Sequence, residues 1–421
     1  MSNPLDRYAE RRKRFAATMA RDSGGRPSAA LLLAGEETGL KRFEPDPNFF
    51  YLTGVETSRA ALLMTTGQPK PSDILLLPAS DPAKERWTGR VLSAGGLTSA
   101  AQPDPERLES SRLTGHPNIA AYHELDEALL RPLRDAEFLY LDCPEEALQA
   151  PLGVSQLLAQ RLRRHYPHLQ IRHAGRLVAQ LRRVKDDHEL ALMRQAMDIT
   201  AKAHAAIMGH LRPGQFEYEI QALVEYVFTA SGAQSPAFPS IIGSGPYSCT
   251  LHYERNRRQM KAGDLVVCDI GCRKDYYCAD VTRTYPVSGR FTPRQREVYE
   301  VVLGAHRAAV KAAKPGAYVR EVHAAAVDHI TRAGYAPYFF HGTSHYLGLE
   351  AHDPGNYEKP LEAGVVITIE PGIYIASEEL GVRIENDLLI TETGSTIMSD
   401  IPMEVNDIEG LLLAPRRDFL L

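Results

Sequence analysis

Val266-Val-Cys-Asp-Ile-Gly-Cys-Arg-Lys-Asp-Tyr-Tyr-Cys-Ala-Asp-Val-Thr-Arg-Thr-Tyr285 sets two carboxylates into β-prone, apolar surroundings. The runs Leu265 to Ile270 and Tyr276 to Tyr285 flank the polar triplet Arg273-Lys274-Asp275, the pattern of a hairpin. With the turn centred between Lys274 and Asp275, Asp269 stands directly opposite Asp280. Like charges so placed, with Cβ atoms about 4.5–5.5 Å apart, destabilise a ladder. A cation is therefore expected between them, and for two hard oxygen donors that means one or two divalent ions. The alternative is a turn offset by one residue, which leaves one Asp facing water. Lys-Asp is not a favoured two-residue turn, so the register is the open step.

Around this stretch the chain repeats itself at a long, nearly constant spacing. Pro213-Gly214-Gln-Phe216-Glu-Tyr-Glu219-Ile220-Gln-Ala222, running on to Gly232, matches Pro315-Gly316-Ala-Tyr318-Val-Arg-Glu321-Val322-His-Ala324, running on to Gly334. Lys261-Ala-Gly263 with Asp269 and Gly271 matches Glu362-Ala-Gly364 with Glu370 and Gly372, and His252 and Asn256 match His352 and Asn356. Two copies of helix, loop with histidine and strand with carboxylate imply a pseudo-twofold domain whose halves share a cleft. Asp269 and Glu370 hold equivalent places in it.

Each half ends in a pair of acids: Asp269 with Asp280, and Glu370 with Glu385. An acid within an alternating apolar strand is costly to bury unless it is paired or bound to metal. Four such acids and one histidine would fill the shells of two divalent ions about 3.5–4 Å apart. The candidate histidines are His341, His345 and His352. His341 and His345 have the spacing of a zinc-protease helix, but Gly342 and Ser344 favour a loop, and that motif's glutamate is absent. A thiolate zinc site among Cys268, Cys272 and Cys278 has the wrong spacing for a CxxC knuckle.

The N-terminal half reads as an α/β unit. A charged helix opens it, followed by strands at Ala29 to Ala34, Asn48 to Gly54, Ala60 to Thr65 and Asp73 to Pro78. Strands and helices alternate through Phe138 to Asp142, as in a layered domain with a largely parallel sheet. The interval from Leu97 to Asn118 reads as loop. Trp87 lies in a polar stretch, either as an exposed contact residue or as a half-buried core aromatic. A domain boundary falls in the basic stretch from Arg172 to Lys185, ahead of a helix from Asp186 to about His210 with one apolar stripe.

Bulk composition bounds the function. The chain has 421 residues, 44% hydrophobic and 24% charged, enough for two or three domains with a large core. A net charge of −5, with no Lys/Arg stripe beyond Arg11 to Arg14, argues against a nucleic-acid partner. The sequence has no signal-like apolar run and no membrane span, and its five cysteines fit thiols in a reducing compartment, so a cytoplasmic protein is expected.

The ordered set Asp269, Asp280, His345, Glu370 and Glu385 resembles the dinuclear metallopeptidases of pita-bread fold, which include methionine aminopeptidase, prolidase and aminopeptidase P. His341-Gly-Thr-Ser-His-Tyr-Leu-Gly348, Glu370-Pro-Gly-Ile-Tyr374, Val382-Arg-Ile-Glu385 and Asp280-Val-Thr-Arg-Thr284 are most similar to the proline-specific branch. Phe49-Phe-Tyr-Leu-Thr-Gly54 and Trp87-Thr-Gly-Arg90 resemble the creatinase-like domain of aminopeptidase P. The resemblance implies an α/β two-domain protein, with a creatinase-like N-terminal domain at 1–175 and a pita-bread α+β catalytic domain at 176–421.

The same resemblance implies the roles. Asp269, Asp280, His345, Glu370 and Glu385 would hold two divalent ions, manganese foremost, with zinc or cobalt as alternatives. A water activated between the ions would attack the scissile carbonyl, and Glu370 would move its proton to the leaving proline nitrogen. His252 and His352 would orient substrate and stabilise the oxyanion. His341, Arg383, Tyr357 and Trp87 would serve the substrate side. The implied partners are peptides with proline in second place, and the implied assembly is a homodimer or homotetramer, without membrane or nucleic acid. Two departures bear on substrate length. The arginine that follows Tyr357 in aminopeptidase P has no counterpart among Glu358-Lys359-Pro360, and the loop from Glu370 to Glu385 is short, nearer to prolidase. The alternatives to an Xaa-Pro aminopeptidase are a prolidase and a broader-specificity aminopeptidase of the same fold; a prolidase would cut Xaa-Pro but not Xaa-Pro-Xaa. A metal-free pita-bread binding module would lack most of the five ligands.

Overall fold

The structure, a computed structural model, describes residues 5–39, 42–67, 72–95, 105–143 and 150–414. The chain divides into two units, Met1–Arg182 and Arg183–Leu421. The first unit carries helices α1 (Asp6–Asp22), α2 (Pro47–Thr53), α3 (Pro82–Thr88), α4 (Pro105–Thr114), α5 (Leu125–Leu133), α6 (Val154–His165) and α7 (Ala174–Arg182). Its strands are β1 (Ser28–Leu33), β2 (Ala61–Thr66), β3 (Asp73–Leu77), β4 (Ile119–Ala121), β5 (Phe138–Leu141) and β6 (Gln170–His173). They form one sheet in the order β4-β3-β2-β1-β5-β6. The sheet is mixed rather than largely parallel: β1–β2 and β2–β3 are antiparallel, while β3–β4, β1–β5 and β5–β6 are parallel. The link from β2 to β3 is too short for the crossover that a parallel pair needs. Helix α7, with Leu177, Val178 and Leu181 buried, packs on α1 and α2 and belongs to the first unit.

Two further sequence expectations fail in this unit. Asn48 to Gly54, read as a strand, lies in helix α2. Asp46 caps it by accepting from the Asn48 and Phe49 N–H groups (both 2.9 Å), Pro47 opens it, and Gly54 closes it at φ 67°. A cap, a proline at the first position and a left-handed glycine outweigh the β-propensity of Phe-Phe-Tyr. Residues 105–114, read as loop, form helix α4 after Pro105; residues 97–104 lie outside the described residues.

The second unit opens with α8 (Asp187–His210), whose cap is reciprocal: Asp186 accepts from Glu189 N and Glu189 from Asp186 N, each at 2.9 Å. Helices α9 (Glu217–Ala230), α10 (Pro293–Ala312), α11 (Val319–Arg332) and α12 (Val405–Leu412) follow. The strands are β7 (Ser235–Pro236), β8 (Ile241–Ser244), β9 (Leu265–Ile270), β10 (Cys272–Lys274), β11 (Tyr277–Cys278), β12 (Val281–Pro286), β13 (Val366–Ile369), β14 (Gly372–Ile375), β15 (Leu380–Arg383), β16 (Asn386–Ile390) and β17 (Ser395–Ile397). Sheets β12-β9-β8 and β13-β16-β17 carry the acid pairs, beside smaller sheets β11-β10-β7 and β14-β15.

The sequence repeat is a structural one. Gly214 and Gly316, at φ 89° and 87°, occupy backbone that suits glycine and precede α9 and α11. Gly214 N donates to Met260 O and Gly316 N to Leu361 O, both at 2.8 Å. Glu219 accepts from Phe216 N (2.6 Å) and Glu321 from Tyr318 N (2.8 Å), so both helices start by the same device. One apolar core unites the halves, with Met197, Ile220, Val302 and Ile330 of the helices against Val266, Val281, Ile367 and Leu388 of the strands. Among the described residues no helix is long and apolar enough to cross a membrane.

Candidate metal centre

The quoted hairpin forms, but in the offset register. β9 pairs with β12 so that Asp269 faces Thr282 and Ile270 faces Val281, and β10 pairs with β11 so that Lys274 faces Tyr277. The turn is centred on Asp275 and Tyr276, at φ 46° and 71°, the two positive values that a type I′ hairpin turn requires. Asp269 and Asp280 are therefore not directly opposed, which corrects the expected pairing. The shift of the turn by one residue moves each partner by two, so side chains keep their faces and Asp280 shares the Asp269 face. Gly271 makes room beside Asp280: a Cβ there would lie 1.8 Å from the Ala279 carbonyl oxygen.

The second half supplies the rest. β13 pairs with β16, Ile369 facing Asn386, and Glu370 and Glu385 flank that last pair. His345 is set in an irregular segment, as Gly342 and Ser344 suggested, and tied to β13 by its N–H on Thr368 Oγ1 (3.1 Å) and by Thr368 N on its carbonyl (2.9 Å). His345 Nδ1 lies 3.1 Å from Tyr346 O, which assigns the proton to Nδ1 and leaves Nε2 as a free donor of a lone pair. That Nε2 is 3.6 Å from both Asp280 Oδ2 and Glu370 Oε1. Ligand atoms of Asp280, His345 and Glu385 all lie within 4.8 Å of one another.

The structure also brings in residues that sequence reading missed. Thr282 Oγ1 donates to Glu385 Oε2 (2.7 Å), and Asp387 Oδ2 accepts from Asp280 N (3.1 Å). Thr282 and Thr368 each lie two residues from a ligand candidate, and strand alternation puts such neighbours on the same face, a signal that could have found them. Arg383 donates to Asp269 Oδ2 (2.6 Å), to Tyr374 Oη (3.1 Å) and to Thr282 Oγ1 (3.2 Å), and orients the acid at the end of the cluster.

Burial dominates the electrostatics. Asp280 and Glu385 are held well above the usual carboxylate range, first by burial and then by neighbouring acids. Burial likewise pushes Glu370 up to about 8 and His345 down to about 4, where His352 adds to the effect. His341 is also lowered by burial, to about 4. Its Nδ1 faces Gly342 O at 2.8 Å and its Nε2 faces Tyr374 Oη at 2.9 Å. His352 stacks on His345 with ring centroids 4.1 Å apart. Asp269 Oδ1 is buried with no hydrogen-bond partner among the described residues. A buried oxygen without a donor, among acids that cannot all ionise together, fits a site for divalent cations.

These groups line one cavity of about 420 Å³ in the second unit. His252, His341, His352 and Arg383 share its wall with the five ligand candidates. Tyr357 and Trp87 do not line it. Tyr357 is about half exposed against Tyr346, and Trp87 is 90% exposed on α3.

Fold and cluster together define a metallohydrolase of pita-bread architecture. Residues 191–392 match the model of metallopeptidase family M24, and residues 8–104 that of the aminopeptidase P N-terminal domain. The Xaa-Pro aminopeptidase of Haemophilus influenzae is 33% identical, with 97% of each chain covered. Aminopeptidase P of Escherichia coli, solved with the inhibitor Pro-Leu, superposes with a TM-score of 0.84 at 29% identity over 98% of this chain and 99% of that one. The Xaa-Pro dipeptidase of Pyrococcus furiosus is 40% identical over 54% of this chain and 66% of its own. The chain belongs to the M24 metallopeptidases, in the group that carries the aminopeptidase P N-terminal domain.

Proposed function

We propose that this chain is a metal-dependent Xaa-Pro aminopeptidase, which hydrolyses the bond between an N-terminal residue and a following proline. The observation that carries this reading is the convergence of Asp280, His345 and Glu385 within 4.8 Å, with Asp269 and Glu370 on the same cavity wall. Those five side chains would hold two divalent ions. Four carboxylates and one imidazole suit manganese, with zinc or cobalt as alternatives. Such ions, when bound, supply Lewis acidity and bring the pKa of a water molecule toward neutrality.

The protein's own groups do the rest. Arg383 fixes Asp269 through a 2.6 Å contact, and Thr282 fixes Glu385. Glu370 carries a proton to the leaving proline nitrogen, a role that its position at the cavity wall supports. His252 and His352 face the cavity as donors to the developing oxyanion. His341, held between Gly342 and Tyr374, forms part of the proline pocket. Tyr357, half exposed beside Tyr346, is assigned to a substrate contact outside the cavity wall. A cytoplasmic homodimer or homotetramer is the proposed setting. Five free cysteines, three of them buried, support a reducing compartment, and net negative charge supports peptide rather than nucleic-acid partners.

The higher identity to a dipeptidase over the catalytic half favours prolidase as the second reading. Hydrolysis of Xaa-Pro, Xaa-Pro-Xaa and Xaa-Ala peptides, with metal counted in the same preparation, decides between them. Cleavage of Xaa-Pro-Xaa is expected; activity on Xaa-Pro alone would establish the second reading, and turnover with no bound metal would remove both.

A further inference from the structure

Glu254 stands on the cavity wall and has no part in the chemistry just described. It is exposed, and it makes no hydrogen bond or ion pair among the described residues. Arg383, the other charged wall residue outside the ligand set, is already paired with Asp269. Arg255 and Arg257, the adjacent cations, do not line the cavity.

The backbone that presents Glu254 is held firmly. Residues alternate along it: His252 and Glu254 face the cavity, while Tyr253 between them is buried and stacks on Tyr247 with centroids 4.3 Å apart. Tyr253 Oη donates to Glu217 Oε2 (2.9 Å), and Arg258 N donates to the same oxygen (2.8 Å). Glu217 is itself fully buried and also accepts from Ser244 N (2.9 Å) and Ser244 Oγ (2.6 Å). Asn256, fully buried at φ 48°, accepts from Ile242 N and donates to Ser240 O and Gln221 Oε1. The carboxylate at 254 is thus an unpaired charge on an anchored segment, the arrangement that turns a charge into selectivity rather than into general affinity.

We propose that Glu254 is a specificity-determining residue which selects peptides bearing a lysine or arginine side chain next to the scissile Xaa-Pro bond, on the residue before or after the proline. This rests on the Xaa-Pro reading above and names the substrate class within it. An exposed pair of this kind is worth up to about 1 kcal/mol, a preference of about five-fold. Salt weakens it, because the Debye length falls from about 10 Å at 0.1 M to about 3 Å at 1 M.

The test is kcat/KM of the metal-loaded, full-length enzyme on Lys-, Leu- and Glu-Pro-Ala and on Ala-Pro-Lys, -Leu and -Glu, for wild type and Glu254→Gln. At one of the two positions the order Lys over Leu over Glu is expected, with a Lys-to-Glu ratio of about five or more that falls toward one in Glu254→Gln and in 1 M salt. Equal rates at both positions, or an order unchanged in Glu254→Gln, would overturn the inference while leaving the proline reading intact. Were every Xaa-Pro peptide inert, the proline reading would fail. Calorimetric binding of Lys-Pro against Glu-Pro and of Pro-Lys against Pro-Glu to both proteins would then still decide the role of Glu254: tighter binding of the lysine peptide in either pair, lost in Glu254→Gln, supports it, and equal binding in both pairs refutes it.

Discussion

Stripping the divalent ions should make this protein lose stability as the pH rises from 6.5 to 8. Glu370 has an ordinary value of 4.5 and is pushed up to about 8 by burial; Asp280 and Glu385 move in the same direction. A carboxyl whose folded-state pKa is raised stabilises the fold fully below its unfolded value and loses that contribution as pH climbs through the folded one. His204, His306, His341 and His345 are shifted the other way, to about 3 or about 4, so each returns about 0.4 kcal/mol as pH rises from 6.5 to 8, against the fall that the buried acids impose together. Between pH 6.5 and 8 Glu370 alone accounts for about 1.5–2 kcal/mol, at about 1.36 kcal/mol per pH step for each proton the fold retains. Its side chain is 20% exposed, so that figure is a ceiling for this group, with Asp280 and Glu385 adding to it. For a unit of this size, about 2 kcal/mol corresponds to roughly 4–8 °C in Tm. Thermal unfolding of chelator-treated protein at pH 6.5, 7, 7.5 and 8 reads the slope. Glu370→Gln should flatten it, and saturating Mn²⁺ should remove it, because bound cations keep the acids ionised and release their protons on uptake. Stability that is level or rising across that window in the metal-free protein would refute the reasoning.

Two further expectations follow from named contacts. Asp280→Asn should abolish both metal uptake and turnover, as read by elemental analysis and peptide hydrolysis; full activity in that variant would remove the site. Lys185 Nζ and Asp353 Oδ2 form a 3.1 Å ion pair in which both side chains are 1% exposed. Lys185→Met alone should cost about 3–5 kcal/mol in urea unfolding, while Lys185→Met with Asp353→Leu should recover most of it. A single variant as stable as wild type would show that the pair contributes nothing.

Much of the candidate site was legible because its carboxylates repeat with the fold. The match of Asp269 to Glu370 and the glycines at 214, 316, 232 and 334 announced two similar halves, and the structure builds both with the same helix starts and the same Gly-to-carbonyl bonds. The exact partners were not legible. The hairpin register turned on whether Asp275 and Tyr276 could take positive φ, which a β-prone tyrosine does not advertise. At Asn48 to Gly54 the informative residues were the flanking Asp46, Pro47 and Gly54, not the aromatic run between them.

The order and kind of the acids, their setting in apolar strands, and the duplication are properties of the chain, since periodicity and side-chain chemistry are written along it. That Arg383 reaches Asp269, that Thr282 holds Glu385 and that His345 stacks under His352 are decided only by folding. These contacts join positions far apart in sequence, and a local pattern carries no record of which side chains a tertiary ladder will set a few ångströms apart.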